Sequence, residues 1–265
     1  MAGLSKYFFI ASTSAKSNVA YLGEVASRVI FLAVILYIFL RLWQVTYAET
    51  GATELGGFTL SQMLWYLAVT ESIILSAPRI TQMVDRDVRT GELAVHLIKP
   101  MSYPLYCLGT SMGERVVRFA LNLSVGLVIA VIFVGPIPLG PLNIACLLLA
   151  LPLAFVLDFL ANFLIGLGAF WLEDTTGLVL IYSRITMILG GMLIPIELFP
   201  EAMQSWLRVL PFASIVYGPA KMLVAPSTGA LAELLVIQSL GIVGVGILVA
   251  IVYGIASRRV FANGG

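Results

Sequence analysis

Long apolar runs separated by short polar breaks dominate the chain. The first, 21–47, holds the uninterrupted core VIFLAVILYIFL. Others follow at 58–83, 103–134, 142–170, 177–194 and 232–256. Each is close to or above the ~20 residues needed to cross roughly 30 Å of hydrocarbon. The pattern predicts six transmembrane helices. It shows no series of alternating ten-residue strands, the sign of a membrane barrel. Gly135-Pro136-Ile137-Pro138 joins the third and fourth spans, and Glu173-Asp174-Thr175-Thr176 joins the fourth and fifth. Both links are short, so both pairs are antiparallel hairpins.

Two segments fall outside the spans. Residues 1–20 mix Tyr7, Phe8 and Phe9 with lysines and small polar residues, which suits an amphipathic helix lying in a membrane interface. Residues 195–226 are apolar but cut by Pro195, Pro200, Pro211, Pro219 and Pro226. A short helix is expected at 201–209 and a second at 211–224, kinked at Pro219. Neither is long enough to span. They read as a re-entrant pair, because broken backbone survives at membrane depth only where protein or a water-filled cavity satisfies it. Pro195, Phe199, Pro200, Pro211 and Phe212 are the candidate outer gate.

Charge sets the orientation. With both termini in the cytoplasm, Lys6, Lys16, Arg28, Arg79, Arg86, Arg89, Lys99, Arg258 and Arg259 lie inside, and only Arg41, Arg208 and Lys221 outside. That asymmetry follows the positive-inside rule. The acidic link between the fourth and fifth spans carries little weight in it.

Composition agrees with a membrane protein. Of 265 residues, 60% are hydrophobic and 11% charged, against about 25% charged in an ordinary soluble domain. The formal net charge of +1 and the lack of a basic patch give no reason to expect nucleic acid. The chain reads as a single 1–265 membrane domain in a cell inner (plasma) membrane. Cys107 and Cys146 fall at opposite ends of their hairpin, which disfavours a disulfide.

Against this background, residues 84–100 stand out. DRDVRTGELAVHLIKP holds three acids, three bases and the only histidine. Thr90 is placed to cap a helix starting at Gly91, with Glu92 near its positive end. Leu93, Ala94, Leu97 and Ile98 then share a face at helical spacing, and Lys99 sits at the negative end. The positive-inside rule needs only Lys and Arg. The added acids beside a small apolar face suit docking of a soluble partner.

Ionisable groups inside spans cost about 2.5–3.5 kcal/mol each on insertion scales and usually face protein or water. Here they are Glu71, Glu114, Arg115, Arg118, Asp158 and Arg184. Depth counting pairs Glu71 with Arg118, and brings Arg184 within reach of Asn162 or Asp158. Ala150, Ala154, Asp158, Asn162 and Gly166 form an i+4 row that predicts a packing face with a polar centre. Gly246, Ala250 and Gly254 predict close packing of the last span. The second span is the most polar and is the candidate lining of a central pathway.

Three separated motifs carry a resemblance. GGMLIPIELFP followed by a short helix and LPF, the run DRDVRTGELAVHLIKPMSYPLY after the second span, and FLIGLGAFWLED at the end of the fourth stand in the order seen in type-2 ATP-binding-cassette (ABC-2) exporter permeases. The middle run resembles an "I-x-x-D-I-R-x-G-x-L-x-x-L-L-K-P" segment of one bacterial branch. His96 and Ile98 stand where leucine-like residues are expected. The resemblance implies a non-enzymatic permease subunit, paired with an identical or paralogous subunit among membrane lipids. ATP and magnesium would be held by separate ATPase subunits. It also implies that Asp85, Arg86, Asp87, Arg89, Gly91, Glu92 and Lys99 dock those subunits as a coupling segment. The chain has no phosphate-binding GxxxxGK[ST], so it holds no cofactor itself.

Two other readings fit parts of the chain. An ion-coupled secondary transporter would use Glu71 or Asp158 as a proton relay, although no inverted repeat is visible. A non-transporting scaffold tolerates the same composition. The apolar route and aromatic outer segment are compatible with lipids, glycolipids, amphipathic drugs or secreted natural products.

Overall fold

The computed structural model describes the backbone of residues 2–19 and 22–263, and the side chains of 5–17 and 29–258. Arg28 and Arg259 lie outside the described side chains. Every regular element among the described residues is helical.

Five helices are long and apolar enough to cross a membrane: Val29–Thr50, Leu60–Arg89, Tyr103–Val134, Pro141–Phe170 and Thr228–Arg258. The protein is therefore an all-helical, multi-pass membrane protein. The expected fifth span is shorter. Its helix, Thr176–Leu189, has 14 residues, about 21 Å at 1.5 Å per residue. Gly190 and Gly191 end it, the latter at φ 69°, a left-handed conformation that favours glycine.

In chain order the helices are α1 (Ala2–Val19), α2 (Leu22–Thr50), α3 (Leu60–Leu75), α4 (Ile80–Arg89), α5 (Glu92–Leu97), α6 (Tyr103–Val134), α7 (Pro141–Leu167), α8 (Thr176–Leu189), α9 (Glu201–Val209), α10 (Pro211–Ile215), α11 (Tyr217–Val224) and α12 (Thr228–Asn263). The second apolar run is thus broken, with Ser76–Arg79 separating α3 from α4. Pro78 has no N–H for a helical bond. The Ser76 hydroxyl turns back on the Ile73 carbonyl at 2.8 Å.

α3 lies at the centre, packed on α2, α6 and α11, and every residue from Met63 to Ile73 is buried. α7 packs on α12, α4 and α11. α1 crosses the first part of α6 backbone to backbone. A Cβ on Gly109 would lie 3.0 Å from the Tyr7 carbonyl oxygen, and one on Gly113 2.0 Å from that of Ala11. Lys6 Nζ donates to the Pro100 carbonyl at 2.6 Å, and the Ser14 hydroxyl to that of Thr110 at 2.8 Å. Phe8 and Phe9 point away from the bundle, 79% and 73% exposed.

The bundle has two unlike ends. The charged end carries α4, α5 and the link 171–175. The Tyr253 ring of α12 stacks on Tyr103 there, at 6.4 Å between centroids, so α1 and the last part of α12 share that end. The proline-rich end carries residues 190–226. The expected helix at 201–209 forms as α9. The second expected helix breaks at Val216 rather than Pro219. Tyr217 N donates to the Gly190 carbonyl at 3.1 Å, and Pro219 falls in the first turn of α11, where a missing N–H costs nothing.

Candidate functional site

α4 and α5 meet in an elbow. Gly91, at φ 77°, is the left-handed residue that ends α4 and turns the chain. Thr90 does not cap α5; its hydroxyl donates back to the Arg86 carbonyl at 2.9 Å. Of the expected apolar face, only Leu93 is buried and Leu97 half-buried. They join Ile80, Val84, Tyr103, Cys107, Phe159 and Phe163 in an apolar cluster at the charged end. Ala94, Val95 and Ile98 turn outward, Ile98 79% exposed.

The expected docking charges separate into two groups. Asp85 holds Arg89 by two hydrogen bonds, at 2.8 and 3.1 Å, and accepts one from the Thr175 hydroxyl at 3.0 Å. Arg89 also reaches the Leu172 carbonyl at 3.4 Å. These two residues therefore clamp α4 to the link before α8. Asp87 is buried and accepts from the Tyr103 hydroxyl at 2.9 Å and from Arg86 at 3.3 Å. Arg86, Gly91, Glu92 and Lys99 stay exposed.

In that link, Asp174 accepts from the Thr176 hydroxyl at 2.7 Å and its backbone N–H at 2.9 Å. Those bonds hold the Asp174 carboxyl below the usual carboxylate range. His96 lies against Tyr103 and Tyr106, with ring centroids 5.3 and 4.8 Å away. Burial, then repulsion by Lys99, pushes its imidazole down, while Asp87 and Glu92 pull the other way. Its Nδ1 is buried without a hydrogen-bond partner, consistent with a neutral ring.

The elbow is fastened to a buried polar network. The Thr81 hydroxyl donates to the Asn162 carbonyl at 2.8 Å. Asn162 Nδ2 donates to Asp158, at 2.9 Å to the carbonyl and 3.1 Å to the carboxylate. Asp158 also accepts from Arg115 of α6 at 2.5 Å and from the Tyr182 hydroxyl of α8 at 2.7 Å. The Arg115 guanidinium lies 4.2 Å from the Phe155 ring centroid. At Gly166 a Cβ would come 2.8 Å from the Val84 Cβ, so α4 is seated where α7 has no side chain. The i+4 row of α7 thus packs as its spacing predicts.

The expected pairings of the span charges are not formed. Arg118 pairs with Glu114 on its own helix. Glu71 is 1% exposed and its Oε1 has no hydrogen-bond partner among the described residues. Arg184 stays exposed, its one hydrogen bond among the described residues going to the Met187 sulfur at 3.9 Å. Arg115 takes the place foreseen for it. The hairpin register could have found this: Arg115 lies 19 residues before Val134, and Asp158 lies 17 after Pro141. Tyr182, two residues from Arg184 and so on the opposite side of α8, faces the acid instead.

Polar side chains of α3 are bonded inside the protein. Gln62 Nε2 donates to the Val224 carbonyl at 3.3 Å and Thr70 to that of Met192 at 3.1 Å, while Tyr66 donates to Gly191 between them. Asn143 reaches the Leu223 carbonyl at 2.6 Å and Gln238 that of Ser214 at 2.8 Å. Side chains of α3, α7 and α12 thereby satisfy the broken backbone of 190–226.

The gate prolines stand at helix starts: Pro195 before the 196–198 turn, Pro200 before α9 and Pro211 at the start of α10. Phe199 ends the 196–198 turn, and the Phe212 ring packs 5.9 Å from Tyr182 of α8. Sequence reasoning passed over Glu197. It accepts from Lys221 at 2.6 Å and from the Tyr217 hydroxyl, with Arg208 at 3.8 Å. On α12, Gly254 meets nothing within 4 Å and Ala250 is exposed. Of that row only Gly246 approaches α7, where a Cβ would lie 4.0 Å from Leu160; closer packing on α7 occurs at Gly241, where a Cβ would lie 3.1 Å from Leu157.

The chain is thus a multi-pass helical bundle with a braced elbow at one end and a side-chain-satisfied broken segment at the other. A family model described as ABC-2 family transporter protein matches residues 31–264, and the chain belongs to that family. No curated protein matches it.

Proposed function

We propose that the chain is the permease half of an ATP-driven exporter, with both termini in the cytoplasm of a cell inner (plasma) membrane. Two such subunits, identical or paralogous, form the pathway. Separate ATPase subunits, which hold ATP and magnesium, dock on the α4–α5 elbow. The observation that carries this reading is the division of the elbow. Its inner side is bonded to α7 and to the link before α8, while Gly91, Glu92, Val95, Ile98 and Lys99 are left facing outward. A partner pushing on the outer side would move α4, and through Asn162 and Asp158 would act on α6 and α8.

α1 lies in the cytoplasmic interface with Phe8 and Phe9 toward lipid. α8 completes the sixth pass together with the segment after it, and 195–226 is the re-entrant outer gate, locked by Glu197. Arg184 lies between exposed Ile181 and Ile188 on α8. A charge at that depth suits a water-facing or subunit-facing surface better than lipid. We therefore assign this side of α8 to the pathway between subunits.

The test is co-purification of ATPase subunits with the parent chain and with a Val95→Glu/Ile98→Glu variant. The parent is expected to retain an ATPase and the variant to lose it while keeping the parent's melting curve. A well-folded parent without any ATPase would overturn the exporter reading. The unpartnered Glu71 oxygen supports ion-coupled transport as the second reading. Transport that follows an imposed proton gradient and is lost in Glu71→Gln would favour it.

A further inference from the structure

We propose that the cleft between α4 and α6 at the charged end binds the phosphate-type headgroup of an anionic amphiphile in the adjacent leaflet. α4 packs chiefly on α7, and a cavity of about 290 Å³ opens on its other side. The lining holds Arg79, Arg86 and Arg118, with Thr110 and the single acid Glu114. The lining carries three arginines and one glutamate, and the Asp87 carboxylate beside Arg86 offsets a further charge. Arg86 is shared with Asp87 at 3.3 Å and Arg118 with Glu114, while Arg79 is exposed at the start of α4. Among the described residues no side chain caps α4; the Ile80 N–H is taken by the Pro78 carbonyl at 2.9 Å, and the positive dipole end of the helix adds to the attraction for an anion. Guanidinium groups are the side chains best matched to phosphate oxygens.

Depth selects an amphiphile rather than a soluble anion. Thr110, Glu114 and Arg118 follow one another at four-residue steps along α6. Counted from Val134, where α6 ends, Arg118 is 16 residues or about 24 Å away, Glu114 about 30 Å and Thr110 about 36 Å. A hydrocarbon core of about 30 Å therefore has its boundary at Glu114. The cleft straddles the depth at which lipid headgroups meet acyl chains, and half-buried Met83 lines it beside the charges.

The experiment uses the full chain in neutral detergent without any ATPase subunit, so its result is separate from the exporter reading. Binding of short-chain phosphatidate, short-chain phosphatidylcholine and inorganic phosphate is measured by titration calorimetry. Phosphatidate is expected to bind at least about tenfold tighter than either control, and more weakly as salt rises. Arg79→Gln should weaken it roughly tenfold through loss of one charged contact. Glu114→Gln should tighten it, a gain that misfolding cannot mimic. Equal binding of phosphatidylcholine, or of inorganic phosphate, would overturn the headgroup assignment. Two variants that both bind like the parent would remove the site from this cleft.

Discussion

Thr81 of α4 donates its hydroxyl hydrogen to the carbonyl oxygen of Asn162 of α7, 2.8 Å away. The bond joins the first turn of the elbow to a residue that also donates to Asp158. One helical turn beyond Asn162, Gly166 lets Val84 come close. The seat of α4 on α7 is therefore defined by the Thr81–Asn162 contact and one missing side chain.

Gly166→Ala puts a methyl group 2.8 Å from the Val84 Cβ. Overpacking of this kind costs about 1–3 kcal/mol. The expected outcome is a lower melting temperature and, on the exporter reading proposed above, weaker transport-dependent ATPase stimulation. Recovery of both by adding Val84→Ala would confirm the contact as the cause; a fully active single variant would show that α4 tolerates displacement.

Arg115 and Asp158 form a buried pair with side chains 2% and 8% exposed. Removing one partner of such a pair typically costs about 3–5 kcal/mol, because the other charge stays buried. Asp158→Leu and Arg115→Met are each therefore expected to assemble poorly. The double variant Arg115→Met/Asp158→Leu should recover most of the loss. Measured melting shifts for both singles and the double give the coupling energy, and additive shifts would show that the pair is not a unit.

His96 gives the elbow a pH dependence. Its ordinary pKa is about 6.5, and the folded chain holds it lower through burial and Lys99. The unfolded chain then binds more protons below that value, so the contribution to stability is complete above about pH 6.5 and is lost as pH falls through the depressed value. Protease cleavage at Gly91–Pro100 should accelerate as pH falls from 7 to 5 in the parent. His96→Gln should flatten that dependence; an unchanged profile would assign it to another group.

The long elements were legible because spans need length and hydrophobicity and little else. The limits of α6, α7 and α9 follow from Pro104, Pro141 and Pro200 near their starts. Two kinds of feature were not legible. The break at 76–79 lies inside the expected 58–83 span, where Pro78 and the neighbouring Arg79 are its only marks. The partners of the charges depend on helix rotation, which depth counting leaves open; Arg115, Arg184 and Tyr182 all reach the depth of Asp158. The polar residues of α3 were read as lining because polarity in a span needs an explanation. Gln62, Tyr66 and Thr70, four residues apart on one face, find it in the carbonyls of the broken segment.

The contact of α1 with Gly109 and Gly113 has a mechanical consequence. Where two backbones touch, no flexible side chain lies between them to absorb sliding, and the Lys6 and Ser14 bonds fix the register. α1 and the adjoining stretch of α6 therefore move as one beam. On the proposed placement of Phe8 and Phe9 in the bilayer surface, that beam is moored at one end. A tilt of α6 becomes a rotation about the mooring, which fixes where the pivot lies.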